Sequence, residues 1–250
     1  MEIWFYSIVS VLAVSLLSLS GAFLLIIKRD FLLNNLHFLV SLAVGNLFGA
    51  AFIHLIPAMG EYSNLSLFDG SKFIFVGIIL FFILEKFIRW RHCHLPDCDT
   101  HNPPFVPVSL AGDTLHNFLD GIIISVSYMT NIPLGIATTI AVLFHELPQE
   151  IGDFGILVKG GFSTKKALLI NLLVSLSSIL GAAVALTIGM KMYGFVQVLL
   201  PVTAGGFIYI AGSDLIPELH SEEDWKKSAG QLFFLLLGIG VMYLVKMFVH

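Results

Sequence analysis

Residues 36–59 read LHFLVSLAVGNLFGAAFIHLIPAM, 24 positions without one Asp, Glu, Lys or Arg. As an α-helix at 1.5 Å per residue this run is about 36 Å long, enough to cross a hydrocarbon core of ~30 Å. Strand alternation is absent. A helix is the form in which an isolated segment satisfies its own backbone hydrogen bonds in lipid.

Seven further apolar runs flank this one, at Ile3–Ile27, Phe73–Trp90, Val108–Tyr128, Pro133–Val158, Ala167–Met190, Val196–Ile216 and Leu232–Val249. Short polar connections join them, which leaves no room for a separate soluble domain. The 250 residues are 57% hydrophobic and 12% charged, against roughly half and a quarter in soluble domains. The expected fold is therefore all-α, a polytopic membrane protein of eight transmembrane helices with the lipid bilayer as its solvent. The first run, Ile3–Ile27, reads as a span and not as a cleavable leader. Two cysteines, Cys93 and Cys98, make no disulfide framework.

Orientation follows from where the 13 Lys and Arg fall. Lys28, Arg29, Lys86, Arg89, Arg91, Lys159, Lys165, Lys166, Lys226 and Lys227 lie at the 1–2, 3–4, 5–6 and 7–8 connections. Lys72, Lys191 and Lys246 lie at the opposite ends. The excess of positive charge predicts that both termini face away from the cytosol.

A shift of 160 residues superposes the chain on itself without a gap. VSLLSLSGA at 14–22 falls on VSLSSILGA at 174–182, and HLIP at 54–57 falls on DLIP at 214–217. Positions 12–90 match 172–250 at 18 of 79 places. Each copy holds three spans, so the copies must lie in opposite senses, as in transporters that open alternately to either side. The single transmembrane domain, 1–250, then divides as repeat one 3–90, a loop 91–106, a hairpin 108–158 and repeat two 167–250. This is a 3+2+3 arrangement, with inverted three-helix repeats flanking helices 4 and 5.

The chemistry lies on that hairpin. Helix 4 contains DTLHNFLDG, in which Asp113, His116, Asn117 and Asp120 are spaced i, i+3, i+4 and i+7 on one face. Helix 5 contains HELPQEIGDF, which places His145, Glu146, Gln149, Glu150 and Asp153 on one face as well. A charged group in mid-bilayer costs at least ~2.5 kcal/mol on the mildest insertion scale. Packing alone does not account for five acids and two histidines on one hairpin. Imidazole with carboxylate and amide oxygen suits zinc, iron(II) or manganese. Calcium would ask for more oxygens and no imidazole, and copper(I) for thiolate. Pro148 inside the stripe cannot bond the carbonyl of Phe144, leaving that oxygen free to face metal or water.

HNFLDG on the fourth helix and HELPQEIGDF on the fifth resemble the ZIP (Zrt/Irt-like) metal transporters, in particular the branch whose fifth helix reads HExPHExGDF. FFILEKFIR, GAAFIHLIP and TAGGFIYIAGSDLIPEL extend the likeness over nearly the whole chain. The resemblance implies metal uptake toward the cytosol, often by a homodimer, with helices 4 and 5 in the moving part. By motif it makes His116, Asn117, Asp120, His145, Glu146, Gln149 and Glu150 the metal ligands. In some relatives these positions hold two ions side by side. Gln149 departs from the pattern, standing where that branch has His and others have Glu. An amide ligates more weakly and takes no proton.

Other metal-binding residue types are secondary candidates. Asp113 and Asp153 extend the stripes, and His54 and Asp214 hold equivalent places in the two repeats. The loop HCHLPDCDTH gathers His92, Cys93, His94, Cys98 and His101, softer ligands suited to accepting or buffering metal at the cytosolic side.

No prosthetic group is expected, only a transported divalent ion, zinc first and cadmium, iron(II) or manganese after it. No Gly-rich phosphate-binding loop with Lys and Ser/Thr is present, so no nucleotide is expected as a partner; no nucleic acid is expected either. An intramembrane metal-dependent hydrolase is the rival reading, but HExxH fails where Gln149 replaces the second His. A passive metal channel on the same helices stays open. The chain is expected to be no enzyme, and to sit in a plasma or inner membrane with both termini outside the cytosol.

Overall fold

The computed structural model describes residues 2–27, 29–62, 66–90, 105–189, 191, 194–220 and 224–249. The loop candidates His92, Cys93, His94, Cys98 and His101 lie outside the described residues.

Eight helical segments follow one another, and no strand occurs among the described residues. We number them α1 (Glu2–Ile27), α2 (Arg29–Gly49, a π-helical turn Ala50–Leu55, then Ile56–Tyr62), α3 (Leu67–Trp90) and α4 (Phe105–Thr130). The second half holds α5 (Ile132–Lys159), α6 (Thr164–Ser175 and Ser177–Gly189), α7 (Phe195–Tyr209, a π-helical turn Ile210–Leu215, then Ile216–Leu219) and α8 (Trp225–Val249). Each expected span falls on one of these helices. Among the described residues, five stretches are long and apolar enough to cross a membrane: Asn34–Glu61, Leu67–Lys86, Thr164–Gly189, Phe195–Ser213 and Trp225–Met247. Neither α4 nor α5, where the acids sit, is among them.

The helix ends follow local chemistry. Ser66 caps α3, its hydroxyl accepting the Asp69 N–H at 3.1 Å and donating to the Asp69 carboxylate at 2.7 Å. Lys72 Nζ bonds the same carboxylate at 2.7 Å. At the end of α5, Gly161 takes φ +88°, and the Phe162 N–H closes on the Leu157 carbonyl. That left-handed stop favours a residue without Cβ.

Two groups of helices emerge from the packing. In one, α4 lies against α5 and α6, α1 against α5, and α1 against α4 and α6. In the other, α2 lies along α8 and α3 along α7, with α2 and α7 meeting at their π-turns. The groups touch chiefly where α2 crosses α5. Burial ranks the second group: the α2 window is 72% buried, those of α3 and α8 only 17%. Phe75, Ile79, Phe82, Phe233, Leu236 and Leu244 are exposed. Such a surface is untenable in water and natural against acyl chains. The chain is an integral membrane protein.

Close backbone approach joins the helix pairs. A Cβ on Gly45 would meet the Leu235 carbonyl oxygen at 2.1 Å, and one on Gly205 would meet that of Ile74 at 2.1 Å. Each glycine also faces another, Gly238 and Gly77 respectively. Small residues of this kind let helices pack in lipid, where no hydrophobic effect drives them together. The π-turns at 50–55 and 210–215 stand 160 residues apart. Where α6 breaks at Leu176, Ser15 Oγ donates to the Ser175 carbonyl at 3.0 Å, again across 160 residues. Some buried hydroxyls bond back into their own helix, as Ser127 does to the Ile123 carbonyl, and others cross between helices, as Ser10 does to the Tyr128 hydroxyl at 2.8 Å.

Candidate metal centre

The hairpin α4–α5 brings two turns of each helix face to face. His116 and Asp120 are one turn apart on α4, and His145 and Glu146 are neighbours on α5. One ligand atom from each of the four lies within 4.8 Å of all the others. His116 Nε2 is 3.3 Å from His145 Nε2 and 3.4 Å from Glu146 Oε1. His145 Nε2 is 3.2 Å from Asp120 Oδ2 and 3.7 Å from Glu146 Oε1, and the His116–Asp120 distance is 3.8 Å. Two nitrogens each bonded to one tetrahedral zinc stand about 3.3–3.4 Å apart. The observed spacings are close to those of a four-ligand shell.

The cluster is closed on most sides. His145 and Glu146 are 1% exposed and Asp120 2%, while the side chain of His116 keeps 19% and forms the open edge. His145 Nδ1 lies 3.2 Å from the Ala141 carbonyl of its own helix, which turns Nε2 toward the cluster. The Phe207 ring on α7 backs His145 edge-on at 6.2 Å. The buried carboxylate oxygens of Asp120 and Glu146 have no hydrogen-bond partner among the described residues, only the nearby imidazole nitrogens. Buried carboxylates of this kind call for a cation.

A second level lies one turn further along the hairpin. Asp113 is 5% exposed, and its Oδ1 accepts from Asn117 Nδ2 at 2.9 Å and from Gln149 Nε2 at 3.4 Å. Asn117 and Gln149 therefore turn their amides to Asp113 and not to the four-residue cluster. Glu150 is wholly buried; its carboxylate oxygens accept no bond among the described residues, and its carbonyl accepts from Asn171 Nδ2 of α6 at 3.2 Å. Asp153 lies a turn beyond on α5. His54 stands apart, its Nε2 donating to the Met242 carbonyl at 2.8 Å. Asp214 sits in the second π-turn, and its side chain lies outside the described set. The helix of α5 runs on through Pro148.

Asn171 and Phe207 are the site neighbours that the sequence reading passed over. Asn171 had a signal: it is the one polar residue in the run ALLINLLV at 167–174 of α6. Phe207 had none, being one aromatic among many.

A helical membrane protein with a buried cluster of two imidazoles and two carboxylates has a donor set able to hold a divalent metal inside the bilayer. The family model for "ZIP Zinc transporter" matches residues 105–246. Zinc transporter ZIP13 of Pongo abelii is 33% identical over 226 residues, covering 84% of this chain and 67% of its own. Zinc transporter YKE4 of Saccharomyces cerevisiae is 30% identical over 254 residues, covering 87% and 73%. Zinc transporter zipt-7.2 of Caenorhabditis elegans is 41% identical over 145 residues, 56% of this chain and 31% of that protein. The chain belongs to the ZIP zinc transporter family. It spans about two thirds of the ZIP13 relative and under a third of zipt-7.2.

Proposed function

We propose that this protein carries a divalent transition metal, zinc first, across its membrane toward the cytosol. The observation that carries the reading is the buried cluster of His116, Asp120, His145 and Glu146, whose ligand atoms converge within 4.8 Å. These four form the primary ion position. Asp113, Asn117, Gln149, Glu150 and Asp153 form a second level along the same faces, where an ion leaving the first would next meet oxygen ligands. Nitrogen and oxygen donors without thiolate bind such ions moderately and release them, which suits a carrier and admits cadmium, iron(II) or manganese.

The mechanism is alternating access by inverted repeats, 3–90 and 167–250, around the hairpin 108–158. What supports the repeats is the set of matched features 160 residues apart: the two π-turns, the Ser15–Ser175 bond, and the α2–α8 packing answered by α7–α3. The division into two helix groups, with the cluster wholly in one, supports motion of that group against the other. A cluster this buried favours a carrier over an open channel. The hydrolase reading has no support, since Gln149 breaks HExxH and faces Asp113. Charge placement favours both termini outside the cytosol, in a plasma or inner membrane, and the family resemblance favours a homodimer.

The test is uptake by the purified protein in liposomes, run across zinc, cadmium, iron(II) and manganese. The reading expects zinc to enter without ATP. Peptidase activity without metal flux would overturn it.

A further inference from the structure

Pro57 has no N–H, so the α-helical bond that residue 57 would give the Ile53 carbonyl is missing. The helix widens there: Ala50–Leu55 is π-helical, and the Ile56 N–H reaches back five residues to the Ala51 carbonyl. The Ile53 oxygen is met from another helix, where Lys246 Nζ on α8 donates to it at 2.9 Å. One turn earlier on α8, the Met242 carbonyl accepts from His54 Nε2 at 2.8 Å. Two bonds thus cross in opposite senses between the π-turn and a single turn of α8. His54 is 5% exposed and Met242 is fully buried, so the bond between them is shielded, while the Lys246–Ile53 bond is part-buried.

A lysine in the last turn of an apolar helix can reach the interface, but Lys246 gives its ammonium to a backbone carbonyl whose missing bond is costly in an apolar setting. Each settles the other. The π-turn they hold packs against α5, the helix that carries His145 and Glu146, as well as against α7 and α8.

We infer that Lys246 is a positioning residue, which caps the carbonyl that Pro57 leaves without its helical donor and clasps α8 to the π-turn of α2 beside the metal-site helix. The 160-residue offset provides an internal control. It carries Lys246 to Lys86 and Pro57 to Pro217, but Lys86 is exposed, and no bond from it to the Ser213 carbonyl is found among the described residues. The clasp is therefore one-sided among the described residues.

The experiment measures thermal unfolding in detergent, with zinc uptake in liposomes beside it, for the full chain and its variants. Lys246→Met keeps the length of the stem and removes the donor, and should lower the melting temperature by about 4 °C. Lys246→Arg and Lys86→Met should stay near the parent. Pro57→Ala restores the backbone N–H, so adding Lys246→Met to it should cost little, in stability or in uptake. An equal loss from Lys246→Met in both backgrounds overturns the inference, as does an equal loss from Lys86→Met. If Pro57→Ala does not fold, the contrast between Met and Arg at 246 decides, and identical behaviour of the two refutes the donor role. The flux arm rests on the transport reading and the melting arm does not. A parent that moves no zinc yet shows the expected melting pattern would refute transport and leave the clasp standing.

Discussion

The Nε2 atoms of His116 and His145 face each other at 3.3 Å across the α4–α5 hairpin. Both rings point their outer nitrogens at the carboxylates of Asp120 and Glu146 instead of at solvent or backbone. Two imidazoles set this way compete for one hydrogen or share one metal ion, and the two acids beside them favour the cation.

The two levels of the hairpin should separate in metal affinity. His116→Ala removes a member of the converging cluster and should weaken zinc binding by well over tenfold. Asn117→Ala and Gln149→Ala remove amides that hold Asp113, and should cost about tenfold, the lower end for residues that orient a ligand. Titration calorimetry in detergent checks the order. Equal losses at all three positions would contradict the two-level geometry.

Acidification should weaken zinc binding, and zinc loading should release protons. An imidazole ligates only when unprotonated and a carboxylate only as its anion, so protons and metal compete for the same atoms. Calorimetry in buffers of different ionisation enthalpy counts the protons released. An affinity constant from pH 8 to pH 5.5 would contradict imidazole ligation.

Much of this site was legible in the sequence. Spacing of i, i+3, i+4 and i+7 on helix 4 and of i, i+1, i+4 and i+5 on helix 5 picks the faces that meet across the hairpin, because helical angle depends on residue number alone. Depth is harder. The antiparallel register of the hairpin decides that Gln149 meets Asp113 and that Glu146 meets His116, and a motif scored along one strand of text does not contain that register. The Lys246–Ile53 bond spans 193 residues, and only packing brings those ends together. The eight helices were legible for the reverse reason, since a long apolar run declares itself by its own length and composition and not by its neighbours.

Close packing of α4 on α6 should be intolerant of one methyl group. A Cβ on Gly181 would lie 1.9 Å from the Phe118 carbonyl oxygen, and one on Gly121 would lie 1.9 Å from that of Ser178. Gly181→Ala should destabilise by about 1–3 kcal/mol, the usual cost of overpacking. Gly240→Ala, with nothing within 4 Å of the new Cβ, should be neutral or stabilise by up to about 1 kcal/mol, the helix-propensity gain of Ala over Gly. Thermal unfolding in detergent compares them.

The most direct measurement is zinc uptake into liposomes by the purified parent and by the His145→Ala/Glu146→Ala double variant, with melting curves to show that both are folded. The account predicts ATP-independent uptake by the parent and none above protein-free liposomes by the folded double variant. Unchanged uptake by the double variant would contradict it.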